Sequence, residues 1–291
     1  MRYLLISHNA GGAALLAAWA AHQGQAIVFD CLLNGPAVGI FCQRLIHAHL
    51  IAPQALVFSR YQAVITSTSS AETGWETRWI YQARAQGIKT ISMLDHWTNY
   101  VSRFLWRDEY VFPDEIWVCD QYALALAQTC QQQVPEYPPV GQVPNFYLQD
   151  LANYIRLRQD ELRNRDTILF VSEPSNNPLY TAQHALKKFL VYLHSQPHSY
   201  TTLRLRLHPR ERVEDYAAIL NAHYESIEVE LSSNSRLEDD LCWAAWVVGC
   251  QTMAMVVAHA AGIRVASCLP ANVITSALPH KEIPRLFPAM P

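Results

Sequence analysis

The sequence predicts an α/β fold with two doubly wound parallel sheets. Two observations support this prediction: short apolar runs alternate with helical stretches, and the alternation starts again after a Pro-rich and charged segment near the middle of the chain. A chain of 291 residues is long enough for two domains with separate cores. We therefore expect one domain over 1–145, a linker over 146–166 and a second domain over 167–291.

The first half of the chain follows the element order of a Rossmann-like domain. RYLLIS is a continuous apolar run, HNAGG is a Gly-bearing turn, and a helix is expected over 13–23, ended by Gly24. The further elements are AIVFD and AVITSTS as strands, 72–86 as a helix ended by Gly87, TISMLD and PDEIWVC as strands, and 121–132 as a helix capped by Asp120.

The second half repeats this pattern and predicts a second Rossmann-like domain. Its expected elements are TILFVS, LRLRL, SIEVEL, WVVG and IRVAS as strands, with helices over 181–195, 213–223, 237–245 and 252–261, the last one stopped by Gly262. The charged segment RLRQDELRNRD precedes these elements and is interpreted as part of the linker.

The composition excludes some classes of function. The chain is 51% hydrophobic and 16% charged, with a formal net charge of -3, and lacks the basic excess of a nucleic-acid-binding protein. Its seven cysteines show no C-x-x-C spacing, which favours reduced thiols. No segment approaches the ~20 apolar residues of a membrane span. We expect a cytoplasmic protein without a nucleic-acid partner, and the sequence leaves peripheral attachment to a membrane open.

Polar residues at expected strand ends are the candidates for chemistry in the first half. Asp95 and His96 end the strand TISMLD, at the edge where α/β sheets bind their ligands. Either side chain is a candidate general base, and a helix cap or loop hydrogen bond is the alternative. Gly11 and Gly12 allow backbone N–H groups at a helix start to face an anion, or simply form a tight turn.

Three strand ends in the second half carry candidate phosphate ligands. His208 and Arg210 in RLHPRE follow a strand directly; arginine binds phosphate through two N–H groups, and a protonated histidine neutralises a leaving phosphate. Ser172 in SEPSNNP, and Gln251 and Thr252 in GCQTMAM, are further candidates. A solvated loop and ordinary helix caps are the alternative interpretations.

Two further patterns have weaker implications. A metal is not expected, because no D-x-D triplet occurs and His47-x-His49 lies in a stretch that resembles a helix, where these two side chains face apart. Aromatic residues follow Asp95 closely and predict either a stacking platform for a sugar ring or core packing. They are Trp97, Tyr100, Phe104 and Trp106, with Arg103 and Arg107 among them.

The layout of these strand ends, with His208 followed by Pro209, resembles the GT-B glycosyltransferase architecture. It looks most similar to the bacterial sialyltransferase-type families, which have a D/E-D-G motif, a His-Pro motif and a hydroxyl motif. The resemblance implies two Rossmann-like domains facing a cleft, with the acceptor on the first and the nucleotide on the second. By this resemblance His208 contacts the nucleotide phosphate, Thr252 matches the hydroxyl motif, and Asp95 retains one acid of the acidic motif.

The sequence thus predicts a metal-independent glycosyltransferase with a sugar nucleotide as donor and no cofactor. Its acceptor would be a glycan or a lipid-linked sugar in surface-polysaccharide or glycan biosynthesis. One alternative is a nonhydrolysing sugar-nucleotide 2-epimerase, which shares the two-domain plan. The other is a catalytically silent GT-B-like binding module, favoured because His96 and Trp97 stand where the acidic motif has a second acid and a glycine.

Overall fold

The computed structural model describes residues 1–24, 26–45, 48–69, 73–162, 166–174, 178–225 and 227–288. The chain divides into two compact units, Met1–Tyr147 and Leu148–Pro291, here called unit 1 and unit 2. Each unit contains its own parallel sheet with helices, so the α/β fold class predicted from the sequence is confirmed.

Unit 1 contains nine strands within its described residues. They are β1 (Arg2–Ser7), β2 (Val28–Leu33), β3 (His49–Leu50), β4 (Ala63–Thr66), β5 (Lys89–Met93), β6 (Leu105–Trp106), β7 (Glu109–Tyr110), β8 (Glu115–Val118) and β9 (Val140–Gln142). Seven of them form a parallel sheet in the order β3-β2-β1-β4-β5-β8-β9, and β6 and β7 form a separate antiparallel hairpin. The helices are α1 (Ala10–Ala21), α2 (Ala37–Arg44), α3 (Trp75–Arg84) and α4 (Gln121–Gln133).

Unit 2 contains a five-stranded parallel sheet in its described residues. The strands are β10 (Thr167–Val171), β11 (Thr202–Arg206), β12 (Glu228–Leu231), β13 (Trp246–Gly249) and β14 (Arg264–Ser267), in the order β12-β11-β10-β13-β14. The helices are α5 (Phe146–Leu162), α6 (Ala182–His194), α7 (Ala217–Leu220), α8 (Leu237–Trp243) and α9 (Met253–Ala260). The first two residues of α5 belong to unit 1.

Both sheets are covered on two faces, which explains the continuous apolar strands. Every residue of β4 and β10 is buried, as expected for parallel strands between two helical layers. Successive residues of β1 point to opposite faces. Leu5 packs into one core cluster of unit 1 with Phe41, while Leu4 and Ile6 pack into another with Trp79.

The strand order places a topological switch point in each sheet. In unit 1 the chain builds outward from β1 first through β2 and then through β4, and unit 2 does the same around β10. Connections leave such a point in opposite directions, so the carboxyl ends of the two central strands border a crevice in which α/β proteins bind ligands.

The segment expected as a linker is helical. Residues 146–162 form α5, with Leu151, Ala152 and Ile155 buried on one face. Their spacing is that of an amphipathic helix. The charged residues of the same segment favoured the linker interpretation instead. The domain bounds expected over 1–145 and 167–291 stay a prediction.

Several expected element bounds differ from the structure. Helix α1 begins at Ala10 and ends with His22 as its C-cap, so Gly24 does not cap it. The helix expected over 213–223 is a 3₁₀ turn, Val213–Tyr216, followed by the short α7. His49 lies in β3 instead of a helix, and the expectations that involve His47, Glu72 and Ser226 lie outside the described residues.

A buried carboxylate fixes the end of β11, two residues before His208. Asp240 is fully buried, and its Oδ2 accepts hydrogen bonds from Arg206 Nη1 and Ser232 Oγ, both at 2.6 Å. Its Oδ1 accepts one from Asn234 Nδ2 at 2.7 Å. Four polar groups, including Arg204 Nη1 at 3.4 Å, therefore depend on one side chain.

We predict that Asp240→Ala lowers the free energy of unfolding by about 3 kcal/mol, because it leaves buried charge without its partner. The matched variant Glu238→Ala removes the partner of the exposed Arg236 guanidinium and should cost at most about 1 kcal/mol. Urea denaturation of the full chain measures both values. Equal losses in the two variants would contradict the anchoring role of Asp240.

Candidate functional site

A buried hydrogen-bonded cluster occupies the switch point of unit 1. Ser67 Oγ donates to Glu76 Oε1 at 3.0 Å, and the His8 backbone N–H donates to the same oxygen at 2.9 Å. Ser7 Oγ lies 2.7 Å from Ser67 Oγ, and since Ser67 uses its proton on Glu76, Ser7 is the donor of that pair. Glu76 is only 2% exposed. A charged residue that the sequence analysis missed thus ties the start of α3 to the ends of β1 and β4.

Four buried polar atoms around this cluster have no hydrogen-bond partner in the described part of the chain. They are His8 Nδ1, Ser69 Oγ, Trp75 Nε1 and Glu76 Oε2. Leaving a buried donor or acceptor unpaired costs about 1–3 kcal/mol. Unpaired groups of this kind are rare in native proteins and often mark functional sites.

Asp95 lies at the same edge, just beyond β5, and is held by an ion pair. Its Oδ1 accepts from Arg103 Nη1 at 2.7 Å, and the same Nη1 donates to Thr68 Oγ1 at 2.8 Å. The other oxygen, Oδ2, lies 2.7 Å from the point that a Cβ on Gly11 would occupy. The structure therefore brings together two predicted site residues, Asp95 and Gly11, and adds Arg103 to them.

His96 is fixed in one tautomer by the backbone. Its Nδ1 lies 3.1 Å from the Trp97 backbone N–H, which donates to it, so the neutral ring carries its proton on Nε2. Burial lowers the pKa of His96; Asp95 opposes this effect and Arg103 adds to it. The neutral ring of His96 is therefore a hydrogen-bond donor through Nε2, and the general-base roles expected for Asp95 or His96 stay predictions.

The aromatic residues after Asp95 are mostly core residues. Trp97, Tyr100 and Phe104 are at most 7% exposed, whereas Trp106 is partly exposed. Core packing, the alternative interpretation in the sequence, is correct for the first three. Trp97 Nε1 also donates to Asp120 Oδ2 at 2.9 Å, and Asp120 caps α4 as predicted.

The His208 loop of unit 2 repeats the arrangement seen at His96. His208 Nδ1 accepts from the Arg210 backbone N–H at 3.1 Å, which leaves the proton of the neutral ring on Nε2. Burial lowers the pKa of His208, and the Arg210 charge lowers it further. The positive charge of Arg210 is present in this loop near neutral pH, and the expected neutralisation of a leaving phosphate by a protonated His208 stays a prediction.

Glu211 holds the His208 loop in place. Its Oε2 accepts from the His208 backbone N–H at 3.0 Å, and its Oε1 accepts from Ser172 Oγ at 2.9 Å and Tyr216 Oη at 2.6 Å. The sequence analysis missed this role. A carboxylate three residues after His208 in RLHPRE was the available signal, because it can accept from a backbone N–H at the start of the same turn.

The hydrogen-bonding groups of Gln251 are used inside unit 2. Its backbone N–H donates to Glu173 Oε2, its Nε2 donates to Tyr180 Oη, and its Oε1 accepts from the Ala277 backbone N–H. Burial raises the pKa of Glu173. Thr252 is the N-cap of α9, as its alternative interpretation stated.

The phosphate-binding roles of Ser172, Gln251, Thr252, Gly11 and Gly12 remain predictions. The structure places the first three at carboxyl ends of strands of unit 2 and the glycines in the first turn of α1. Ser172 and Gln251 already have intramolecular partners, Glu211 and Tyr180.

Within the described ranges, no group of three or more His, Cys, Asp or Glu side chains is arranged to hold a metal ion. None of the helices in the same ranges combines the length and apolar character needed to cross a bilayer.

Comparison with known proteins was made at the level of sequence and of structure. No family model matches the sequence, and no curated protein is significantly similar to it. Solved structures do match over 92% of the chain. They include the UDP-GlcNAc 2-epimerase from Methanocaldococcus jannaschii (TM-score 0.63, 11% identity, 83% of that chain), a UDP-glucosyltransferase from Polygonum tinctorium (0.56, 11%, 80%) and HepE of Anabaena in complex with UDP and glucose (0.57, 13%, 80%).

The chain has a GT-B-type fold. This likeness extends over both units and agrees with the two Rossmann-like sheets described above. In open α/β sheets of this kind, ligands bind in the crevice outside the carboxyl ends of the strands. The His208 loop and the Asp95 cluster each lie at such an edge.

We predict that Gly12→Ala destabilises the protein by about 1–3 kcal/mol, because the new Cβ would lie 2.7 Å from Ser67 Cβ. This loss should exceed the gain of about 1 kcal/mol that alanine brings to a helix. Gly24→Ala is the control, since nothing lies within 4 Å of its added Cβ. Thermal and urea unfolding measure both variants, and a neutral Gly12→Ala would contradict the close packing of α1 on Ser67.

We predict that His96 and His208 carry their neutral-ring proton on Nε2 and titrate below the peptide value of about 6.5. Long-range ¹H–¹⁵N NMR measures both properties, with His96→Gln and His208→Gln used to assign the signals. Because the folded state binds fewer protons than the unfolded state below pH 6.5, the stability from these residues is complete above that pH and decreases as the pH falls towards their folded pKa. A proton on Nδ1, or a pKa above 6.5, would overturn the assignment.

Proposed function

We propose that this chain is a metal-independent glycosyltransferase that uses a sugar nucleotide as donor. The observation that carries the proposal is the loop after β11, where the Nε2–H of His208 and the exposed Arg210 lie at a sheet edge of a GT-B-type fold. Both groups are donors suited to phosphate oxygens, and Arg210 adds the positive charge that a diphosphate requires.

The donor is proposed to be a UDP-sugar bound by unit 2. This choice is supported by the comparison proteins, which are described with UDP or UDP-sugars. When the glycosidic bond to the diphosphate breaks, negative charge develops on the leaving phosphate. Arg210 and the Nε2–H of His208 would stabilise that charge, and the N-terminus of α9 after Thr252 would add favourable backbone dipoles.

Asp95 is proposed to act as the general base on the acceptor. Its Oδ1 is occupied by Arg103, so Oδ2 is the oxygen that would take the proton of the acceptor hydroxyl as the new glycosidic bond forms. Arg103 would orient the carboxylate, and the Nε2–H of His96 would donate a hydrogen bond to the acceptor or the sugar. No step in this scheme requires a metal ion.

The acceptor is proposed to be a glycan or a lipid-linked sugar used in surface-polysaccharide or glycan biosynthesis. A lipid-linked acceptor would bring the protein to the cytoplasmic face of a membrane as a peripheral protein. The layout similar to sialyltransferase-type families, which depends on His208 and Pro209, makes CMP a second nucleotide to test.

A nonhydrolysing UDP-GlcNAc 2-epimerase is the second candidate function. Glu76 favours it, because it places another carboxylate at the same sheet edge as Asp95, and epimerisation at C2 requires groups that remove and return a proton. The similarity in fold to the Methanocaldococcus epimerase supports the same alternative. Product analysis separates the two activities: a transferase releases UDP, and an epimerase returns an isomeric sugar nucleotide.

We predict that UDP or a UDP-sugar raises the melting temperature, whereas GDP and its sugars do not. A ligand at 100 times its dissociation constant stabilises a protein by about 2.7 kcal/mol, or several degrees at roughly 2–4 °C per kcal/mol. His208→Ala should abolish the shift without changing the melting temperature of the free protein.

The control for this experiment is His184→Ala, which removes an exposed histidine of α6 and should leave the shift intact. An unchanged shift in His208→Ala would overturn the phosphate assignment. The absence of any shift with UDP, CMP and their sugars would overturn the donor proposal. Nucleotide binding without turnover of any sugar nucleotide would identify a catalytically silent binding module.

A further inference from the structure

A surface groove of about 540 Å³ in unit 1 is formed by aromatic and cationic side chains. It lies between the start of α3 and the β6–β7 hairpin, and among the described residues that line it none is acidic. The side chains that matter for its chemistry are Trp75, Arg78, Tyr81, Gln82, Trp106 and Arg107. The described lining of the groove is therefore both aromatic and positively charged.

Two of its rings are accessible to solvent and set at an angle to each other: Tyr81 is exposed and Trp106 is partly exposed. Tyr81 is 52% exposed, and its ring centroid lies 5.3 Å from that of Trp106 with 47° between the ring planes. Trp75 is partly exposed at the other side of the groove. Large aromatic faces that stay accessible to solvent provide flat apolar surface beside polar edges. Such surface matches the C–H face of a pyranose ring, while Gln82 offers an amide to its hydroxyl groups.

The two arginines of the groove have no carboxylate partner within the described residues. Arg107 lies over the Trp106 ring, 4.5 Å from its centroid, and Arg78 lies over the Trp79 ring at 5.1 Å. Stacking on an aromatic ring occupies the face of a guanidinium and leaves its N–H groups free at the edge. Each arginine can therefore bind a carboxylate or phosphate group through two parallel hydrogen bonds.

The hairpin turn holds Arg107 in an unusual backbone conformation. Arg107 and Asp108 have φ values of 52° and 64°, in a two-residue turn where glycine and asparagine are the preferred residues. Non-glycine residues in this region are uncommon, and strained conformations cluster at binding sites. Asp108 and Glu109 follow Arg107 in sequence but do not line the groove, so its lining remains cationic.

We propose that this groove binds an anionic saccharide whose sugar rings carry carboxylate or phosphate groups. The rings would stack on Trp106 and Tyr81, and the anionic groups would pair with Arg107 and Arg78. Only the identification of this saccharide as the acceptor rests on the proposed glycosyltransferase function. An acidic acceptor would then be selected by unit 1 through charge, independently of donor binding at the His208 loop.

The test is a titration of the full chain with tetragalacturonate and with neutral cellotetraose, in which tryptophan fluorescence and isothermal calorimetry measure binding. We expect at least tenfold tighter binding of the charged tetrasaccharide and a loss of this preference at high salt. Arg107→Gln and Arg78→Gln should each weaken tetragalacturonate binding at least fivefold. Trp106→Ala should weaken it as well, with circular dichroism to verify that each variant is folded.

Arg158→Gln is the matched control, because Arg158 also stacks on an aromatic ring, Tyr154, but lies in unit 2. It should bind tetragalacturonate like the unmodified chain. Equal affinity for the charged and neutral probes, or an equal loss in Arg158→Gln and Arg107→Gln, would overturn the proposal. Sedimentation with phosphatidylserine vesicles in the absence of tetragalacturonate binding would also overturn it, in favour of a membrane-binding surface.

The two proposals fail separately. If the nucleotide-induced melting shift is absent and tetragalacturonate still binds, the transferase proposal is overturned and the proposed saccharide groove stands. If nucleotide raises the melting temperature and tetragalacturonate does not bind, the saccharide-groove proposal is overturned and the transferase proposal stands.

Discussion

Both sheets depend on the reversal of strand order at their central strands. Parallel strands require crossover connections of one hand, so a chain that adds strands first on one side of β1 or β10 and then on the other must cover opposite faces of the sheet. The reversal brings loops with different polar residues to one edge. Ser7 and Ser67 meet there in unit 1, and Glu173 and Gln251 meet there in unit 2.

Buried carboxylates then give these loops a defined shape. Glu76 and Asp240 are buried, Glu211 is partly buried, and each accepts hydrogen bonds from at least two donors. In the proposed scheme these residues do not touch a ligand. Glu211 positions one residue that does, His208, through its backbone N–H, and burying a charge for this purpose is tolerated because each carboxylate is well supplied with donors.

The sequence predicted the sheets better than it predicted the sites. Apolar runs such as TILFV identify buried parallel strands because every side chain is covered. Helix α5 was predicted to be a linker because its sequence contains many charged residues. The positions of Asp95 and His208 followed from strand ends. Their hydrogen-bond partners could not be predicted in the same way, because contacts such as that of Glu76 with the His8 backbone span 68 residues. Residue type alone also does not reveal that the side chain of Gln251 is already hydrogen-bonded.

The two histidine rings are oriented by main-chain N–H groups of Trp97 and Arg210. Every amino acid except proline provides that donor. A substitution at position 97 or 210 other than proline therefore removes what that side chain contributes, the Asp120 hydrogen bond of Trp97 or the positive charge of Arg210, and leaves the main-chain donor that orients the neighbouring histidine in place.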